Sequence, residues 1–152
     1  MEIRVIIDGA EKLRAKLSDP NFVGGPLRDF LQRAGHEVES EAKQRAPVDT
    51  GHLQGSIQPR VSGTQVSIGT PVKYAPYVEF GTRPHYPPPN ALQPWARRHG
   101  FGPRGHFMLA AIIAKRGTKP HPFLIPGYEA ARGAIDGYVE ELARDIERNW
   151  SM

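Results

Sequence analysis

The feature that most constrains the fold is an apolar stripe that recurs every three or four residues between Pro26 and Pro47. This spacing places its members on one face of an α-helix and leaves the charged residues between them on the opposite face. The stripe consists of Leu27, Phe30, Leu31, Ala34, Val38, Ala42 and Arg45. Pro26 suits a first helical turn, where its missing N–H does no harm, and a residue that precedes proline disfavours helical geometry. The pattern therefore predicts a helix from Pro26 to Ala46 with one buried face.

A second stripe with the same spacing predicts another long amphipathic helix after Pro126. Its members are Tyr128, Ala131, Ile135, Tyr138 or Val139, Leu142 and Ile146. The charged residues between them again fall on the opposite face, where they are spaced for ion pairs along the helix. The sequence therefore predicts two long helices, each with a face to bury.

Alternating apolar residues predict a small antiparallel sheet. They indicate a strand over residues 2–8 and a hairpin of strands over residues 57–61 and 65–68. A short helix over residues 10–17 and a chain break at Asp19-Pro20-Asn21 are expected before the first long helix. The fold class is then α+β, with two long amphipathic helices packed on a small antiparallel sheet. A length of 152 residues fits a single domain over the whole chain.

Residues 83–122 depart from this pattern. The run Tyr86-Pro87-Pro88-Pro89 can neither continue a helix nor join a central strand. Residues 90–99 and 106–116 each have the pattern of a short helix, and the second is apolar on more than one side. We predict a Pro-rich helical insertion at about residues 83–122, packed on the sheet domain or on a neighbouring subunit.

Composition limits the setting and the partners. The chain has no cysteine, which excludes a disulfide framework and thiolate metal sites. None of its purely apolar runs is long enough to cross a bilayer, so no membrane partner is expected. The formal net charge is +4, and the positive excess lies in a stretch that contains no acidic residue. Its cations are Arg97, Arg98, Arg104, Lys115, Arg116 and Lys119. Such a segment is a solvated or protein-binding face, or it contacts nucleic acid.

The triplet Asp49-Thr50-Gly51 is the string most typical of an enzyme, because a homodimeric aspartic protease would use one copy from each subunit. Here, however, it follows a long helix and a helix-ending proline, where a helix cap followed by a turn is favoured. The histidines of the second half, at positions 85, 99, 106 and 121, lack the spacing of a helical metal pair. No catalytic, metal-binding or cofactor-binding residues are therefore expected.

Four segments taken in order carry a family likeness. They are Ala46–Leu53 with Ser56-Ile57, Tyr74–Thr82, Lys119–Leu124, and the helix that follows. In this order and spacing they resemble the HK97 gp10-like family of phage tail-completion and head–tail joining proteins, over about residues 24–148. Compact members of that family run almost directly from the second of these segments to the third. Relative to them, residues 83–122 are an insertion.

The resemblance implies a non-enzymatic structural protein of a tailed phage. It would be a ring-forming tail-completion or neck subunit that connects the tail tube to the head connector and leaves a lumen for DNA. The implied partners are further copies of the chain (a hexamer favoured over a dodecamer), the tail tube or tail terminator protein, a head–tail connector or stopper protein, and the passing DNA. It would be located in the tail or neck of the virion, after assembly in the host cytoplasm.

Individual residues receive roles on this hypothesis. The turn and cap positions are Pro47, Asp49, Thr50, Gly51, Gly81 and Thr82. The candidate interface residues, for which core packing is the alternative, are Tyr74, Tyr77, Trp95, Phe107, Ile112, Phe123 and Leu124. The candidate contacts to DNA in the lumen or to an acidic partner are Arg97, Arg98, Arg104, Lys115 and Arg116. The alternative function is a basic nucleic-acid-binding protein that acts through residues 97–119.

Overall fold

A computed structural model describes residues 1–6 and 20–150 of the chain, with side chains described for residues 1–2 and 24–148. The helix predicted over residues 10–17 lies outside the described residues. Within them, three strands form one antiparallel sheet: β1 (Glu2–Ile6), β2 (Gln58–Ser62) and β3 (Gln65–Gly69). The strand order is β1-β3-β2, so β3 is central. The predicted hairpin is confirmed.

The two long helices are α1 (Pro20–Arg45) and α6 (Leu124–Trp150). The predicted helix start at Pro26 is wrong, and so is the predicted chain break at residues 20 and 21, which are helical; residue 19 lies outside the described residues. Pro26 lies inside the helix, where it removes one hydrogen bond without ending it. Helix α6 likewise begins two residues before Pro126, which lies in its first turn. No helix among the described residues has both the length and the apolar character needed to cross a membrane.

The core lies between α1, α6 and the inner face of the sheet. The predicted stripe of α1 is buried from Leu27 to Ala42, whereas Arg45 is exposed. Val66 and Ile68 of β3 close the core from the sheet side, and Ala131 and Ile135 of α6 close it from the other. The predicted α+β arrangement of two long helices on a small sheet is therefore confirmed.

Two glycines allow the layers to approach closely. A Cβ added at Gly35 of α1 would lie 2.8 Å from atoms of both Pro59 and Val66, so this glycine sets the spacing between helix and sheet. A Cβ at Gly127 of α6 would lie 2.7 Å from the backbone N and Cα of Ala42, so this one sets the spacing between the two helices.

Four shorter helices complete the described chain: α2 (His52–Ser56), α3 (Ala75–Phe80), α4 (Pro89–Arg98) and α5 (Gly105–Arg116). Helices α4 and α5 match the two helices predicted within residues 83–122. They pack mainly against each other as a helical hairpin. The hairpin leaves and rejoins the rest of the chain where Thr82 and Thr118 pair through two backbone hydrogen bonds of 3.1 and 3.2 Å.

Candidate functional site

A buried carboxylate organises the segment from Tyr74 to Thr82. Glu79 of α3 is 2% exposed, and its Oε2 accepts the backbone N–H groups of Phe123 (2.8 Å) and Leu124 (2.9 Å). Its Oε1 accepts the N–H of Ile125 at 3.0 Å. These donors at the start of α6 have no partner within the helix, and a negative charge also suits the positive end of the helix dipole. Glu79 is therefore the N-terminal cap of α6, supplied by another helix.

Phe123 and Leu124 belong to the core. Both are 0% exposed, because the cap holds their backbone while their side chains fill the space between α6 and the rest of the fold. The prediction that they are interface residues is therefore corrected by their burial, in favour of the core-packing alternative.

Asp49 has a different role from the predicted one. Its Oδ1 accepts the Nε–H of Arg98 at 2.9 Å and lies 3.2 Å from Nε2 of His99, and its Oδ2 binds a terminal nitrogen of Arg98. The hydrogen bond from Arg98 is the main cause that lowers the pKa of the Asp49 carboxyl. Desolvation raises this pKa, and the hydrogen bond with His99 lowers it by a smaller amount. The two-point contact joins the loop after α1 to the end of α4. We call these three residues the loop–hairpin clasp.

The predicted caps at Asp49 and Thr50 are wrong. The N-cap of α2 is Gly51, with φ 79° and no side-chain capping bond. A glycine adopts this left-handed geometry without the steric cost that a Cβ imposes, and the Asp49 carboxylate is bound to Arg98 instead.

The clasp also argues against the aspartic protease hypothesis. In that chemistry, two carboxylates must approach each other and share a proton. Asp49 is instead held by a guanidinium, and its pKa is lowered. Among the described residues, no group of three or more His, Cys, Asp or Glu side chains lies close enough to bind a metal ion.

The predicted turn positions Pro47, Gly81 and Thr82 lie where the chain changes direction. Pro47 follows the end of α1 and is exposed. Gly81 has φ 70° and directly follows α3, and a Cβ there would lie 2.5 Å from the carbonyl oxygen of Thr118. Gly81 and Thr82 therefore form one side of the base of the hairpin, and Gly117 and Thr118 form the other.

Helix α3 presents aromatic side chains to solvent. Tyr74 is 46% exposed, and Tyr77 and Phe80 are each 61% exposed. Their spacing of three residues places them along one side of this short helix. The sequence prediction includes the two tyrosines but not Phe80. Phe80 follows Tyr77 by the same three residues that separate the tyrosines, and this spacing could have indicated it. Because the opposite side of α3 carries the buried Glu79, the aromatic side is held in a fixed orientation.

The hairpin exposes a second apolar surface. Phe107 and Ile112 of α5 are exposed, as an interface role requires, and so is Met108, which sequence reasoning does not select. Trp95 of α4 is 38% exposed, and its ring also packs within the hairpin, where it stacks on His99 at 4.1 Å between centroids and lies 5.7 Å from the Phe101 ring.

The predicted basic contacts divide into two groups. Arg98 is bound to Asp49, so its selection as a contact for DNA or an acidic partner is corrected. The others, Arg97, Arg104, Lys115 and Arg116, are exposed and form no salt bridge with a described residue.

A family comparison agrees with the resemblance stated above. Residues 10–81, just under half of the chain, match the family model described as "Bacteriophage HK97-gp10, putative tail-component". The predicted likeness is confirmed over these residues, which include α1 to α3, whereas its extension to Lys119–Leu124 and α6 stays a prediction. No curated protein and no solved structure shows a significant match to the chain. Similarity to a phage tail component supports a tail-related structural protein of the virion that contacts other tail proteins.

Proposed function

We propose that the chain is a ring-forming tail-completion or head–tail joining subunit of a tailed phage. The observation that carries the proposal is the aromatic side of α3, which lies inside the segment that matches a phage tail component. Tyr74, Tyr77 and Phe80 supply large and rigid contact area, and Glu79 fixes the helix that bears them. Rigid aromatic residues are typical of the centres of protein interfaces. The protein acts by assembly and carries out no reaction.

In this proposal the subunits close a ring through a head-to-tail contact between two different surfaces. The ring joins the tail tube or its terminator protein to the connector or stopper of the head and leaves a lumen for DNA, with six subunits favoured over twelve. The chain acts as one domain with residues 83–122 as an insertion. Two facts support the insertion: the family match ends at residue 81, and the Thr82–Thr118 bridge brings its two ends together.

The test is the mass of the purified protein, measured by native mass spectrometry, with negative-stain images of the same sample. Wild-type protein should form discrete rings, alone or on purified phage tails. The double variant Tyr74→Ser, Tyr77→Ser should lose them and keep its circular dichroism spectrum, because both side chains are exposed. Val48→Ser, which removes an equally exposed apolar side chain elsewhere, is the control.

Two results would contradict the proposal. A wild-type protein that stays monomeric and does not bind tails is not a joining subunit. Rings that form equally well in the double tyrosine variant would show that the aromatic side of α3 is not part of the assembly surface.

A further inference from the structure

The outward face of α5 is apolar in the middle and basic at both ends. Its exposed residues follow the three-four spacing of one helical face: Arg104, Phe107, Met108, Ala111, Ile112 and Lys115. Exposed apolar side chains grouped in this way mark a contact surface, whereas scattered ones need no explanation. Helix α5 packs mainly on α4 behind it, and its outward residues are exposed, so none of the described residues covers this face. We call it the basic face.

The outward face of α6 has the opposite charge and small side chains. Its exposed residues also share one helical face, on which four carboxylates outnumber one guanidinium: Glu129, Gly133, Asp136, Glu140, Ala143, Arg144 and Glu147. Asp136 and Glu140 form no salt bridge with a described residue, whereas Glu129 pairs with Arg132 at 3.2 Å. We call it the acidic face.

Two glycines of α6, Gly133 on the acidic face and Gly137 beside it, have open space around them. A Cβ at either position would meet nothing within 4 Å among the described residues, in contrast to Gly127 of the same helix. A glycine inside a helix costs about 0.5–1 kcal/mol relative to alanine. Two such residues on an exposed surface allow large side chains of another molecule to approach closely. Phe107 and Ile112 of a second copy of the chain are side chains of this kind.

The charge along the sequence separates in the same way. Residues 80–128 contain seven Lys and Arg and no acidic residue, whereas residues 129–152 contain six acidic and three basic residues. The two faces are therefore complementary in charge and in side-chain size, and they belong to the same chain.

We propose that the basic face of one subunit docks on the acidic face of the next copy of this chain. This inference rests on the proposed function, because it adds a second contact between neighbouring subunits of the ring to the one made by the aromatic side of α3. The contact joins two different surfaces, so each subunit presents its basic face to one neighbour and its acidic face to the other. Such a head-to-tail array grows in one direction until it closes into a ring. Basic ends meet acidic side chains, and the apolar centre of α5 covers the glycines of α6.

DNA fits the basic face less well than a protein does. A duplex binds cations along its charged backbone, and it offers nothing that would bury Phe107, Met108 and Ile112. An acidic helix with small residues accommodates both the cations and the apolar side chains.

The absence of cysteine in the chain allows a direct test by disulfide trapping. Ile112→Cys and Glu140→Cys are made as separate variants with tags of different size, mixed, and oxidised. The docked faces should give the mixed disulfide as the main product, with little of either self-paired species. Ile112→Cys mixed with Val48→Cys is the matched control, because residue 48 is exposed and lies on neither face.

Charge reversal sharpens the test. Lys115→Glu with Arg104→Glu on the Ile112→Cys subunit should reduce the mixed-disulfide yield by about tenfold, and the yield should also fall with added salt. Asp136→Lys on the Glu140→Cys partner should restore part of the loss. Such recovery requires the two faces to meet and does not follow from misfolding of one variant.

The outcomes separate the two proposals. Rings without preferential trapping of residues 112 and 140 would overturn the docking of these faces and leave the proposed function standing. A protein that forms neither rings nor the mixed disulfide would overturn both. Absence of trapping together with salt-dependent DNA binding that Lys115→Glu abolishes would assign the basic face to nucleic acid.

Discussion

Glu79 shows how one side chain can define the start of a helix that lies far along the sequence. Its carboxylate is buried, yet three backbone N–H groups of α6 satisfy it within 2.8–3.0 Å. Buried charges are tolerated only with such complete hydrogen bonding, and removing it leaves donors without partners. The same residue fixes α3, so the aromatic surface and the long helix depend on one contact.

Replacement of Glu79 by Gln tests this dependence. The amide keeps one acceptor oxygen but sets an NH₂ donor against backbone donors, so we expect the free energy of unfolding to fall by about 2–3 kcal/mol. Urea denaturation followed by circular dichroism measures the change. The matched control is Glu129→Gln in the first turns of the same helix, whose pair with Arg132 is exposed to solvent and should contribute little to stability. Equal effects of the two substitutions would contradict the capping role.

The loop–hairpin clasp predicts a pH dependence. Because the pKa of Asp49 is lower in the folded chain than its ordinary value of 3.8, its pair with Arg98 stabilises the fold fully above pH 3.8. That stabilisation is lost as the pH falls through the lower, folded-state pKa. Protonation should then release the end of α4, where Trp95 stacks on His99.

Fluorescence of Trp95 reports the release, in a Trp150→Phe background that leaves it as the one indole of the chain. We expect the emission to change below pH 3.8. The Asp49→Asn variant should show the changed emission already at pH 7, because its amide carries no charge to bind Arg98. If this variant and the wild-type protein fluoresce alike at pH 7, the clasp does not hold the hairpin.

At the scale of elements, the close packing of α1 on α6 depends on Gly127. An added methyl group would lie 2.7 Å from the backbone of Ala42, so the two helices would have to move apart. We expect Gly127→Ala to lower the free energy of unfolding by roughly 1–3 kcal/mol. Gly133→Ala on the open face of the same helix should raise it by about 0.5–1 kcal/mol, because nothing lies near the new methyl group. Thermal unfolding measures both, and substitutions that shift stability in the same direction would contradict this packing.

Local patterns in the sequence predict the elements well and their contacts poorly. The spacing of Leu27, Phe30 and Leu31 defines the buried face of α1, because periodicity is a property of neighbouring residues. The same reasoning places the start of α1 at Pro26, because it treats proline as a helix start, whereas the helix also includes the residues from Pro20 onward.

The candidate site can be predicted only in part for the same reason. Tyr74 and Tyr77 can be selected as exposed aromatic residues from their chemistry and their motif. The partners of Glu79 lie 44 to 46 residues away, and Arg98 lies 49 residues from Asp49, so no local pattern indicates either contact. Phe123 and Leu124 are wrongly predicted as interface residues, because the sequence of an apolar pair between prolines is the same whether the pair contacts a neighbouring subunit or the core.

At the scale of the whole molecule, charge is distributed by region. Residues 1–79 carry equal numbers of basic and acidic residues, residues 80–128 carry seven positive charges, and residues 129–152 carry a net charge of −3. The net charge of +4 therefore hides a strong separation between the hairpin region and the last helix. On the proposed docking of the basic face on the acidic face, this separation of charge would favour one relative orientation of two copies over others.

The contact between Glu79 and α6 also imposes an order on events during translation. Glu79 leaves the ribosome 44 residues ahead of Phe123, and until then its carboxylate stays hydrated. Over the same interval the apolar face of α1 lacks Ala131 and Ile135, which complete the core. A truncated product that stops before α6 thus exposes an apolar groove and a loose α3 where the finished subunit is packed. In such incomplete chains, neither the carboxylate of Glu79 nor the apolar face of α1 has the partners that α6 supplies.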